Sequence, residues 1–196
     1  YRVPGMASAT EKVFGIDGPI SFWHDDLNLD GVINNGEKAY LYVAMRRGGH
    51  TYYAYDVSNR AEPQLLWQKN GPYSDTIAKN VPSVSSGFER LGQTWSALQP
   101  VRIAWGEDSS KVVLLAGGGY DPVQDGSSAT RLNDPQTIGN TVYMIDPIDG
   151  TVLWDSFSAL TNLQDDMTSS FASDIAPVDK DSDGNVDIIY AADVGG

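Results

Sequence analysis

Tyr52-Tyr53-Ala54-Tyr55-Asp56-Val57, followed by Leu65-Leu66-Trp67, can be laid over Val142-Tyr143-Met144-Ile145-Asp146-Pro147, followed by Val152-Leu153-Trp154. Each copy reads as an aromatic-rich strand, an aspartate at the strand end, a turn, and a second strand ending in tryptophan. Aromatic and β-branched residues suit a pleated, half-buried surface. In the second copy Asp146-Pro147-Ile148-Asp149-Gly150 is a tight-turn sequence, since Asp, Pro and Gly each favour a turn for a different reason. Four short strands repeated over roughly 40–50 residues are the signature of β-propeller blades. The copies stand about 90 residues apart, which predicts one unmarked blade between them or blades with long insertions. The alternative is a pair of unrelated hairpins in a β-sandwich.

Outward from these copies the chain continues as strands. Ala39–Met45, a turn at Arg46-Arg47-Gly48-Gly49-His50, and Thr51–Val57 form a predicted hairpin. Thr94–Ile103, broken by Pro100, and Lys111–Ala116, Thr141–Ile145 and Thr151–Trp154 are further predicted strands. The Gly- and Pro-punctuated stretch Gly117–Gly139 reads as a long surface loop, and 69–90 as a loop. Helical spacing is weak and confined to Ser156–Leu163. Residues 1–25 read as an entering segment with one strand near Val13-Phe14-Gly15-Ile16. Residues 26–196 read as an incomplete propeller of about three to four blades, part of a longer chain. The fold class expected is therefore all-β, a partial β-propeller.

Two acidic loops carry the chemistry. In Asp179-Lys180-Asp181-Ser182-Asp183-Gly184-Asn185-Val186-Asp187, aspartates fall at relative positions 1, 3, 5 and 9, with glycine at 6. Calcium takes six to eight hard oxygen ligands at about 2.3–2.6 Å, and a tightly wrapped chain offers them at alternate residues. Gly184 permits the sharp turn that lets the Asn185 carbonyl, at position 7, point inward, and Asp187 closes the set. Without an ion the carboxylates would repel one another. A strand, Val186–Ala192, is expected to follow. Counting from Asp26, oxygen side chains stand at positions 1, 3 and 5 (Asp26, Asn28, Asp30), followed by Gly31 and the carbonyl position Val32. Glu37 is at position 12, as in an EF-hand loop. Its flanks are β-rich, so the loop is expected to join strands. For both loops the plainer reading is a solvated acidic turn.

Composition narrows the function classes. The chain has 196 residues and a formal net charge of -13, which excludes a basic nucleic-acid face and fits bound calcium. There are no cysteines, so disulfides, zinc–thiolate sites and cysteine nucleophiles are excluded. No apolar run reaches the ~20 residues needed to span a bilayer, so membrane insertion is not expected.

The chain resembles part of the C-terminal β-propeller of PilY-type proteins, the type IV pilus tip and biogenesis factors. The resemblance rests on Gly36–Gly49, Tyr52–Val57, Leu91-Gly92-Gln93-Thr94-Trp95-Ser96, Gly117-Gly118-Gly119-Tyr120-Asp121, and Asp179–Asp187 with Tyr190–Gly196. It implies a modified seven-bladed propeller, export to the cell surface, outer membrane or pilus tip of a Gram-negative bacterium, and adhesion. It also implies a calcium loop whose occupancy affects pilus extension and retraction. Asp179, Asp181, Asp183 and Asp187 occupy that loop's four aspartate positions. The implied partners are pilus-tip or minor pilin proteins and a host or surface ligand. The Arg-Gly-Asp motif of some members is not present.

Other functions compete. Tyr143–Trp154 resembles the blade motif of pyrroloquinoline-quinone dehydrogenases, but those need a complete funnel, and many carry a vicinal cysteine pair. His24 and His50 read as exposed loop histidines of different blades, with no serine–glycine elbow. Gly117-Gly118-Gly119 is not followed by Lys-Ser/Thr, which argues against a phosphate cradle. A glycan- or matrix-binding propeller would use exposed aromatics such as Trp105 or Tyr120. The expectation is a calcium-binding, non-enzymatic surface module.

Overall fold

A computed structural model describes residues 14–34, 36–72, 83–107, 109–125 and 137–195. Among these residues ten strands form three antiparallel sheets. Strands β1 (Ile20–Asp25), β2 (Lys38–Ala44), β3 (Thr51–Asp56) and β4 (Gln64–Asn70) make the first, in sequence order. The second sheet has the same order in β5 (Gln99–Ala104), β6 (Ser110–Gly117), β7 (Val142–Ile145) and β8 (Val152–Asp155). The third is the hairpin of β9 (Ala176–Val178) and β10 (Ile188–Tyr190). None of the three closes on itself among the described residues. A short helix, α1 (Ser156–Ala159), follows β8, and Asp155 caps it by accepting the Ser158 amide.

The internal repeat is real at the level of single residues. The β3–β4 pairing slips between Ala54 and Tyr55, and the β7–β8 pairing between Met144 and Ile145, the same place in the aligned copies. The aspartate that follows performs one task in both sheets. Asp56 takes Lys38 Nζ at 2.9 Å and the Ser58 amide, while Asp146 takes Lys111 Nζ at 2.9 Å and the Ile148 amide. The Ser58 hydroxyl and then its amide, with Lys38, hold the Asp56 carboxyl below its ordinary value. Burial pushes Asp146 up, and Lys111 with two backbone amides outweighs that and leaves it low. Each aspartate thus ties its turn to the second strand of its own sheet.

The sheets are consecutive. The 90-residue spacing comes from long connections before β5 and between β6 and β7, the second of the two expected alternatives, and no further sheet lies between the copies among the described residues. Some expectations are corrected. The predicted strand from Thr94 begins at Gln99 and contains Pro100, tolerated because β5 is an edge strand. The first strand is Ile20–Asp25 rather than Phe14–Ile16, and the strand after the terminal loop is only Ile188–Tyr190. Gly117, Gly118 and Gly119 are buried against backbone rather than lying in a surface loop, whereas 126–136 falls outside the described residues.

The main core lies between the first two sheets and contains Tyr42, Tyr52, Trp67, Leu98, Leu114, Tyr143 and Ile145. Burial pushes the phenols of Tyr42, Tyr52 and Tyr143 well above their ordinary value. Tyr42 and Trp67 both donate to the Pro147 carbonyl, and Tyr52 to that of Ser96, so these three buried polar tips are satisfied across the sheet–sheet junction, whereas the Tyr143 hydroxyl makes no hydrogen bond among the described residues. Leu115, Val142 and Ile175 form a second cluster joined by Phe171 and Ile189, which seats the third sheet on the second. Leu114 faces one cluster and Leu115 the other. Cover on both faces explains the unbroken apolar run of β6, which does not alternate as a half-exposed strand would.

Candidate metal centre

The loop Asp26–Glu37 joins β1 to β2, as expected of an EF-hand-like loop between strands. Its backbone turns through positive φ at Leu29 (61°) and Gly31 (74°). Asp26 accepts the amides of Asp30 at 3.2 Å and Gly31 at 2.8 Å; Asn28 accepts that of Asp30 at 2.9 Å; Asp30 accepts that of Val32 at 2.7 Å. The Val32 carbonyl takes the Asn34 side chain at 3.1 Å. The Val32 amide and then the Asn34 side chain hold the Asp30 carboxyl below its usual value. Glu37 is only 4% exposed, and its oxygens accept the amides of Leu27, Asn28 and Asn34 at 3.1, 3.3 and 3.1 Å.

His24, absent from the sequence-derived set, joins this loop from the end of β1. Its Nδ1 lies 3.9 Å from Asp26 Oδ2 and its Nε2 3.8 Å from Glu37 Oε2. Nε2 is buried and makes no hydrogen bond. Ligand atoms of His24, Asp26 and Glu37 lie within 4.8 Å of one another. The missed signal was parity: residues 24 and 26 share a face where β1 runs into the loop. The expectation of two exposed histidines in different blades is also corrected. His24 is half-buried, His50 is buried just before β3, and both belong to the first sheet.

The loop Asp179–Asp187 joins β9 to β10 in the corresponding place. Positive φ recurs at Ser182 (65°) and Gly184 (89°), positions 4 and 6 as in the first loop. Asp179 accepts the amides of Ser182 at 2.7 Å and Gly184 at 2.9 Å; Asp181 accepts that of Asp183 at 3.3 Å; Asp183 accepts that of Asn185 at 2.7 Å. Asp187 takes the position-2 amide, Lys180, at 2.8 Å, the task Glu37 performs on Leu27. The structure gathers carboxylate oxygens of Asp179, Asp181 and Asp187 within 4.8 Å of one another. Asp183 instead turns to Asn185, whose amide and side chain lower its pKa. The Val186 amide donates to the Arg102 carbonyl at 2.8 Å and pins the loop to β5.

Both loops therefore connect the first strand of a sheet to the second. The second sheet's equivalent connection, 105–109 between β5 and β6, is short, and its sequence carries no such pattern. Hard oxygens at alternate residues, several carboxylates converging, and the orphaned Asn185 Oδ1 fit a hard divalent cation such as calcium. Asp179, Asp181 and Asp187 have no ion pair among the described residues, so only backbone amides offset their mutual repulsion.

Two consecutive four-stranded antiparallel meanders and a two-stranded hairpin, with an acidic loop in the first meander and in the hairpin, define an all-β protein among the described residues. No protein-family model and no curated protein matches the sequence. Among solved structures the chain is similar to the crystal structure of the Pseudomonas aeruginosa PilY1 C-terminal domain, with a TM-score of 0.53 and 20% identity. The match covers 91% of this chain and 28% of that one, so the chain spans little more than a quarter of that structure's length. At this identity the likeness is one of fold, and it extends over nearly the whole chain.

Proposed function

We propose that this chain is a calcium-binding propeller module of a type IV pilus biogenesis and adhesion protein, part of a modified seven-bladed ring. Calcium occupancy would bear on pilus extension, retraction and surface attachment. The observation that carries the calcium reading is the equivalence of the two acidic loops, in backbone, hydrogen bonding and place in the sheet. The pilus reading is supported by the fold likeness and by the sequence resemblance together. Partners on this reading are pilus-tip or minor pilin proteins and a surface ligand, the location is the cell surface or pilus tip, and no catalysis is assigned.

When bound, calcium would supply positive charge to carboxylates otherwise held by amides alone. Asp26, Asn28, Asp30, Glu37 and the Val32 carbonyl would hold it in the first loop. Asp179, Asp181, Asp183, Asp187 and the Asn185 carbonyl would hold it in the second. Each loop is tied to more than itself. Buried Glu37 anchors the start of β2, and Val186 anchors the terminal loop to β5. Ion binding is thereby coupled to the stability of two sheets.

Thermal unfolding in calcium, in magnesium and in chelator tests the proposal. Saturation at 100 times Kd stabilises a single site by about 2.7 kcal/mol, so a calcium-specific rise in Tm of several degrees is expected. Superimposable melting curves in calcium and chelator would contradict it.

A further inference from the structure

The ends of the sheets away from the acidic loops carry a second feature, independent of calcium. Here the β2–β3 turn, the approach to β5, the connection after β6 and the approach to β9 converge through backbone hydrogen bonds. Arg46 N donates to Thr94 O, Gly92 N to Gly118 O, and Gly119 N to Phe171 O, at 2.9, 2.7 and 3.1 Å. A cleft of about 510 Å³ opens among them, lined by Phe14, Arg47, Gln93, Trp95, Tyr120 and Asp125. Trp95 also lines a neighbouring cleft of about 520 Å³, with Asp17, Arg46 and Asp174. The indole thus stands as a shared wall.

We propose that this double cleft is a carbohydrate-binding site for uncharged pyranosides, with Trp95 as its stacking platform. Three observations support that ligand class. First, the aromatic surface is fixed in advance. Gln93 and Tyr120 exchange two backbone hydrogen bonds, at 2.8 and 2.9 Å, and Trp95 Nε1 donates to Gln93 Oε1 at 3.0 Å. The segments meet so closely that a Cβ on Gly119 would come within 2.4 Å of the Gln93 carbonyl, and its φ is 94°. Tyr120 packs edge-on to Trp95, with ring centroids 5.8 Å apart. A rigid ring loses little freedom when the apolar face of a sugar lies against it.

Second, the polar groups are planar and of both kinds. Arg46 lies 4.5 Å over the Trp95 ring and has no ion pair among the described residues, so its guanidinium keeps donors for a ligand. Its backbone holds φ at 55°, a conformation side chains rarely adopt and one found at functional sites. Arg47 is paired to Asp17 through two bonds, at 3.0 and 2.8 Å, and Tyr120 donates to Asp125 at 2.7 Å. Hydroxyl groups, which both donate and accept, can meet either half of such pairs. Third, the charges are balanced in kind. Asp17, Asp125 and Asp174 stand against Arg46 and Arg47, so a charged ligand of either sign meets repulsion as well as attraction. Uncharged polyols avoid that repulsion.

Saturation-transfer NMR on the 196-residue chain tests this with methyl β-D-galactopyranoside, methyl α-D-mannopyranoside and N-acetylglucosamine as neutral probes. N-acetylneuraminic acid and choline serve as charged ones. Transfer is expected to at least one neutral pyranoside, to persist in chelator, and to weaken about tenfold in Kd in Trp95→Ala. A smaller loss is expected in Arg46→Ala. Absence of transfer to every neutral probe would overturn the proposal, as would stronger transfer to choline or N-acetylneuraminate. If Trp95→Ala loses its folded circular-dichroism spectrum, exposed Arg46 decides the matter, because transfer unchanged in Arg46→Ala also overturns it.

Discussion

The loop Asp26–Glu37 and the loop Asp179–Asp187 wind the same way yet close differently. Both place positive φ at positions 4 and 6, and both fold the position-1 aspartate over the amide at position 6. The first is closed by Glu37, a buried carboxylate three residues later than its counterpart, with His24 beside it. The second is closed by exposed Asp187, and where His24 stands in the first loop it has Pro177. The wrap of each loop is thus set locally, by glycine and alternate oxygens. How far the loop belongs to the core is set by where the last carboxylate falls. Calcium would complete a loop whose closing carboxylate is already buried in the first case and one whose closing carboxylate is exposed in the second.

The strongest way to break this comparison is to remove each closing carboxylate without metal. Glu37→Ala strands three backbone amides and is expected to cost about 3 kcal/mol in chelator, read from urea unfolding. Asp187→Ala exposes its one amide to water and is expected to cost less than about 1 kcal/mol. Equal losses would remove the distinction between a buried and an exposed closing carboxylate.

A smaller effect bears on pH. Burial lowers the His50 pKa in the fold, so below the ordinary value of 6.5 the unfolded chain binds a proton that the folded chain resists. Its contribution is therefore fully present above 6.5 and declines as pH falls toward the depressed folded value. The urea midpoint of the parent is expected to drop between pH 7.5 and 5.5 by more than that of His50→Gln. An identical pH dependence would show that His50 is not the group responsible, and loop comparisons are cleanest above that window.

The smallest effect concerns backbone conformation. Leu29 is 87% exposed at a φ of 61°, so Leu29→Gly relieves a left-handed leucine without uncovering a core. A gain of about 1 kcal/mol or less is expected, with a smaller gain for Ser182→Gly, both read from thermal unfolding. A loss at Leu29 would mean that its side chain supports the loop.

The sequence foretold the copies Tyr52–Trp67 and Val142–Trp154 because aromatic strands, a terminal aspartate and turn residues are local signals. It also foretold that the Asp26 loop joins strands, since its flanks are β-rich. What local signals could not show was pairing at a distance. Lys38 and Lys111 reach their aspartates across a sheet, and nothing near either lysine announces it. Strand β1 escaped notice because Trp23 stacks on Tyr40 in the core while Ile20 and Phe22 face outward, the reverse of a polar-out pattern. Gly117–Gly119 read as a loop because glycine marks turns, whereas here it permits buried backbone to pack on backbone. His24 was missed for its place on a strand rather than within a ligand-spaced loop.

Isothermal calorimetry with calcium on the parent chain, Asp181→Ala and Glu37→Ala tests the central claim most directly. Two equivalent loops predict two sites in the parent, with one remaining in each variant, and the site closed by Glu37 surviving Asp181→Ala. A folded parent that releases or absorbs no heat with calcium, or a single substitution that abolishes both sites, would contradict the account.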